Sequence, residues 1–73
     1  MDFTNLNNAF VAGMLADLLT SAAGNAIRAT LTSELSAQNV AYCRDWLRQA
    51  DEWLVELESR VKVPYIEGAD DAS

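Results

Sequence analysis

The chain has 73 residues, 51% hydrophobic and 22% charged, with 5 Lys+Arg against 11 Asp+Glu and a formal net charge of −6. That length leaves room for one small domain and excludes a multi-domain enzyme, while the apolar fraction excludes an intrinsically disordered chain. The acidic balance argues against direct binding to nucleic acid or to an anionic lipid surface, and a basic protein surface is the natural complement.

At the N-terminus, Met1-Asp2-Phe3-Thr4 lacks the basic segment that opens a secretory signal, so a cytoplasmic protein is expected. The longest apolar run, Ala9 to Ala16, stops at Asp17 and falls short of the roughly 20 residues a membrane span needs, so no membrane span is expected. Thr4 or Asp2 can cap a first helix carrying Leu6, Phe10, Val11, Met14, Leu15, Leu18, Leu19, Ala22 and Ala23. Its apolar positions spread over more than one stripe, which calls for burial on several sides. Asp17 is placed on the solvent-facing rim, with pairing to Arg28, Arg44 or Arg48 as the other arrangement. At Gly24-Asn25 two outcomes compete: a break followed by a short third helix, or a tolerated glycine inside one long helix. Length matching favours one helix from about residue 4 to 33 facing another from about 37 to 62, since the two would span comparable distances.

The second helix is the clearest element. Val40, Cys43, Leu47, Ala50, Leu54, Leu57 and Val61 recur at alternating spacings of three and four, an a/d heptad seam. Trp46 and Trp53 occupy the flanking g positions and widen that seam. Ser36 is the expected N-cap, with Leu35 and Val40 placed to form a hydrophobic staple, and Pro64 ends the helix at or just before Val63. Residues 1–63 therefore form a single helical domain, and residues 64–73 read as an acidic flexible tail. Alternating strand patterns bounded by hairpin turns are missing from the sequence, so the expected fold class is all-α: an antiparallel helical hairpin that associates into a bundle.

The residues offer little chemistry. The lone cysteine, Cys43, has no histidine in the chain to activate it and sits at a d position, where a small buried hydrophobe is expected. Asp45, Asp51, Glu52, Glu56 and Glu58 crowd one helix, and the f positions of Asp45 and Glu52 suit a solvated face better than an acid–base cleft. No catalytic, metal or cofactor site is expected. The candidate partner or oligomer interface comprises Phe10, Leu15, Leu18, Trp46, Leu47, Trp53, Leu54 and Leu57, with Asp45, Asp51, Glu52 and Glu56 as an acidic contact face. Small residues at Ala9 and Gly13 would also permit a close helix crossing.

In size, acidity and helical character the chain resembles small bacteriophage or accessory proteins that dock onto a host or assembly partner, and the small helical chaperones of secretion systems. Neither resemblance rests on a residue motif, so no functional residue is carried over. The reading is a non-enzymatic, homo-oligomeric protein-binding module that inhibits, regulates or chaperones a protein partner. A structural subunit of a virion or secretion apparatus is the alternative. A third is an acidic mimic of nucleic acid, weakened by Arg44, Arg48 and Arg60 on the acidic helix.

Overall fold

The computed structural model describes residues 2–63 and consists of two packed helices, α1 (Asn8–Arg28) and α2 (Ala37–Ser59). The fold is an all-α helical hairpin with no strand among the described residues. The acidic tail expected over 64–73 lies outside the described residues.

α1 begins later than the sequence suggests. Asn7, rather than Thr4 or Asp2, is its N-cap: the Asn7 side chain accepts a hydrogen bond of 2.8 Å from the Phe10 N–H. Asp2 and Thr4 are engaged with one another instead. The Asp2 carboxylate accepts from the Thr4 hydroxyl and backbone N–H, and these two bonds hold its pKa below the ordinary aspartate value. A turn follows, closed by the Leu6 N–H donating to the Phe3 carbonyl at 3.0 Å.

The helix runs unbroken through Gly24, so the third helix does not form, and it stops at Arg28 rather than near residue 33. Side-chain competition accounts for the stop: the Thr30 hydroxyl donates to the Ile27 carbonyl at 2.8 Å, and the Thr32 hydroxyl donates to the Glu34 carbonyl at 2.6 Å. The Ser36 N–H then donates to the Ala29 carbonyl at 3.0 Å, drawing the two helices together across the connection. Because the chain leaves the helix at this point, Ile27, Leu31 and Leu35 do not extend the buried face and remain exposed.

α2 starts at the expected cap. The Ser36 side chain accepts from the Asn39 N–H at 3.3 Å and its hydroxyl donates to Asn39 Oδ1 at 2.8 Å. Leu35 and Val40, expected to staple this start, are exposed and line one cavity together. The helix ends at Ser59, a few residues short of the expected stop; Arg60 is its C-cap.

The core is small. Val11 and Leu18 from α1 pack with Ala50 and Trp53 from α2, and Phe3, Leu6, Met14, Leu15, Trp46 and Leu57 close around them. Trp53 is 6% exposed and meets the Phe3 ring edge-on at a centroid distance of 4.8 Å, with Phe10 tilted against it at 6.3 Å. The heptad register on α2 is therefore rotated from the one the sequence suggests. The inward line runs Asn39, Cys43, Trp46, Ala50, Trp53, Leu57 and Arg60, while Leu47 and Leu54 are 45% and 43% exposed.

Polar groups tie the hairpin at both ends. Near the connection, buried Asn25 donates to the Ser21 carbonyl at 2.9 Å and accepts from Asn39 Nδ2 at 3.3 Å. At the open end, the Arg60 guanidinium donates to the Phe3 and Leu6 carbonyls at 2.8 and 2.7 Å, to Asn8 Oδ1 at 3.0 Å and to Glu56 Oε2 at 2.6 Å. A planar, permanently charged fork suits this task, since one side chain meets four acceptors.

By length and composition alone, α1 is also apolar enough to cross a membrane, which the eight-residue run Ala9–Ala16 did not suggest. Part of that apolar character lies in small side chains outside the core. Ala9, Ala12, Gly13, Ala16 and Ala23 are exposed, and a Cβ added at Gly13 would meet nothing within 4 Å.

Candidate functional site

The two helices leave two unlike edges along their line of contact. On one, Ala26, Ala29, Leu35, Val40, Cys43, Arg44 and Leu47 line a cavity of about 270 Å³. Next to it Leu15, Leu19, Leu47, Ala50, Asp51 and Leu54 line another of about 230 Å³. Both include Leu47, so they adjoin at that side chain and together make up the apolar groove of this edge. On the other edge, Asn25, Tyr42, Asp45, Trp46 and Gln49 line one hollow, and Thr20, Ser21, Gly24, Asn25, Arg28 and Trp46 line a second. Most residues on that edge are polar in type, and Trp46 lines both hollows.

Helical geometry explains the division. Residues three and four apart share a face, so Leu15, Leu19 and Ala26 project to one side of the buried Val11–Leu18–Ala22–Asn25–Ala29 line, whereas Ser21, Gly24 and Arg28 project to the other. On α2, Val40, Leu47 and Leu54 stand on one side of Ala50, and Tyr42, Trp46 and Gln49 on the other.

The sequence-derived interface residues are thus dispersed. Leu18 and Trp53 are buried inside the hairpin, and Leu57 and Leu15 pack against its core. Leu15 also reaches the apolar groove, where Leu47 and Leu54 stand. Phe10 is half-exposed beside Trp53, and Trp46 belongs to the polar edge. The acidic residues do not make one contact face. Asp45 pairs with Arg48 at 3.3 Å on the exposed surface, Glu56 is held by Arg60, and Glu52 is exposed. Asp51 stands on the rim of the apolar groove. Asp17 is exposed and forms no ion pair among the described residues.

Leu19 and Arg44 enter the groove without having been assigned to an interface. Their signal was present: Leu19 lies four residues from Leu15, and Arg44 lies four from Val40. Asn25, Asn39 and Arg60 were also passed over as structural residues, although Asn39, Trp46, Trp53 and Arg60 repeat every seven residues.

Chemically, the groove presents aliphatic carbon and one unbonded sulfhydryl, with a cation and an anion on its rims. Cys43 is partly buried there. Among the described residues no group of His, Cys, Asp or Glu is arranged to hold a metal ion. Among the described residues every buried side-chain nitrogen and oxygen has a hydrogen-bond partner, so none of these groups in the hairpin interior waits for a ligand. This surface can bury apolar area against another macromolecule.

Compared with known proteins, the chain matches no family model, no curated protein and no solved structure.

Proposed function

We propose that this chain is a non-enzymatic protein-interaction module that self-associates into a helical bundle and acts by binding a protein partner, which it inhibits, regulates or chaperones. The observation that carries the reading is the mismatch between a small core and the apolar groove that adjoins it. Leu47 and Leu54 retain close to half their exposure beside Leu19 and Val40, in a chain with no disulfide to offset so little burial. Association hides such a stripe without requiring a larger chain.

Sedimentation equilibrium at micromolar concentration is the test. A mass above 8.0 kDa is expected, whereas a monomer with cooperative unfolding would overturn the proposal. The bare outer face of α1 at Gly13 favours a second reading, a structural subunit in which copies stack along Ala9, Gly13 and Ala16. Growth into large particles with rising concentration would select that reading, and a small defined oligomer would reject it.

The proposal keeps α1 outside the bilayer. Crossing a membrane would strip it from α2, expose Trp53, take Asn39 from Asn25 and leave Asp17 without water. Flotation with phosphatidylcholine vesicles should therefore leave the protein in the dense fraction.

A further inference from the structure

The apolar groove carries its own indication of what covers it. Its central residue is Leu47, and along α2 its other large members, Val40 and Leu54, lie seven residues to either side. Turning a second α2 end for end about Leu47 sets Val40 of each copy opposite Leu54 of the other. The same rotation brings Arg44 of each copy opposite Asp51 of the other, because those two residues flank the position just past Leu47 almost evenly. They are separated by about two helical turns, or about 10.5 Å, so both contacts form together at the two ends of one crossing.

Charge sharpens the argument. Arg48 and Arg60 are each engaged by a carboxylate of their own chain, whereas neither Arg44 nor Asp51 makes an ion pair or side-chain hydrogen bond among the described residues. Each stands at the rim of the groove. A surface with an unpaired cation at one end and an unpaired anion at the other is complementary to itself under two-fold rotation, the relation that a closed dimer requires.

We propose that the groove is the two-fold interface between two copies of this chain, with α2 antiparallel to its counterpart, Leu47 beside the axis and two reciprocal Arg44–Asp51 pairs closing its ends. The proposal rests on the self-association put forward above and identifies the face used. Leu15 and Leu19 of each α1 then flank the α2 pair, giving a four-helix bundle of two hairpins. The deficit in burial supports a second copy as the occupant: the hairpin's core has only Val11 fully enclosed among its larger side chains, and pairing grooves encloses the leucines of both copies at once.

Sedimentation equilibrium of the wild type, Arg44→Glu, Asp51→Arg and the double variant tests the pairing. Both sites are exposed in the hairpin, so circular dichroism should show unchanged helix content. Each single reversal places like charges at both ends of the interface and should weaken dimerisation about tenfold or more, and the double variant should restore it. A second measurement probes the axis. In a Cys43→Ser background, Leu47→Cys should give a disulfide-linked dimer under mild oxidation, while Glu52→Cys on the outer surface should not.

A dimeric wild type indifferent to both reversals, or cross-linked through Glu52→Cys rather than Leu47→Cys, would overturn this interface and leave self-association standing. Weakening without rescue in the double variant would overturn the Arg44–Asp51 pairing. A monomeric wild type would overturn both proposals and leave the groove to a different protein.

Discussion

The two edges of the hairpin differ in how the chain completes them. On the tryptophan edge, residues before α1 return to cover what α2 exposes: Phe3 meets the Trp53 ring, and the Phe3 and Leu6 carbonyls are fastened by Arg60. On the leucine edge no segment among the described residues does the same for Leu19, Leu47 and Leu54. The comparison teaches that an apolar repeat need not belong to the monomer's core even when it forms a clean heptad. Trp53 is large enough that a single buried ring carries much of the packing, whereas the leucines form a stripe whose burial needs a second surface.

The comparison is broken most directly at Trp53. Trp53→Ala should destabilise the hairpin by about 3–5 kcal/mol, because it removes the largest buried ring and the partner of Phe3 and Phe10. Urea unfolding measures the loss; a change below about 1 kcal/mol would show that this edge does not hold the hairpin together.

Arg60→Gln should cost about 2 kcal/mol, since it removes the charged fork, leaves the Leu6 carbonyl without its guanidinium donor and leaves the Phe3 carbonyl with the Leu6 N–H alone. Amide exchange locates the loss. Protection should fall at the N-terminal turn and at the ends of both helices, with the Asn25–Asn39 end unchanged.

On the leucine edge, Leu47→Ala and Leu54→Ala should each cost about 1 kcal/mol at concentrations where the chain is monomeric, because each side chain is close to half-exposed before substitution. A fully buried leucine would cost about 2–5 kcal/mol. If the cost rises with protein concentration, the additional burial comes from association. If it is already large in the monomer, the leucine seam lies inside the hairpin and the two edges have been interchanged.

The smallest effects are gains. Gly24→Ala and Gly13→Ala should each stabilise α1 by about 0.5–1 kcal/mol, since both sites are helical and neither is crowded. At Gly24 an added Cβ comes nearest to the Arg28 guanidinium, at 3.7 Å, and at Gly13 it meets nothing within 4 Å. Thermal melts read the gain. Loss of self-association in Gly13→Ala would move the interface from the leucine edge to the outer face of α1.

Much of the architecture was legible from local signals. Ser36 capped α2 as its position suggested, and Pro64, lying beyond every apolar repeat of α2, left that helix uninterrupted. The start of α1 was less clear because Asp2, Thr4 and Asn7 are all competent caps. Asn7 serves as the cap while Asp2 and Thr4 satisfy each other in the preceding turn. The candidate site was harder to read. Phe10, Trp46, Leu47 and Leu54 were grouped as one broad apolar face, the heptad seam with its flanking g positions, and a face that broad does not separate two edges whose residues alternate along the same helix.

The sequence by itself determined an all-α fold, the cap of α2 at Ser36, a negative net charge and a seven-residue apolar repeat on α2. It did not decide which repeat faces inward. Asn39, Trp46, Trp53 and Arg60 stand one residue before Val40, Leu47, Leu54 and Val61, and either set combines with Cys43, Ala50 and Leu57 into an unbroken heptad seam. The first set supplies what α1 and its leading turn use: an amide for buried Asn25, a ring for Phe3 and Phe10, and a guanidinium for the Leu6 carbonyl and the second lone pair of the Phe3 carbonyl at the open end. Leucines could bury comparable area but could not satisfy those polar groups, and a buried amide oxygen such as that of Asn25, left unpaired, costs more than a half-exposed aliphatic side chain. That choice rotates α2 by roughly 57° relative to the leucine seam, because the two seams differ by one position, about 100°, in four of their seven members. The tertiary structure alone made it, and in making it set the leucines on the outside.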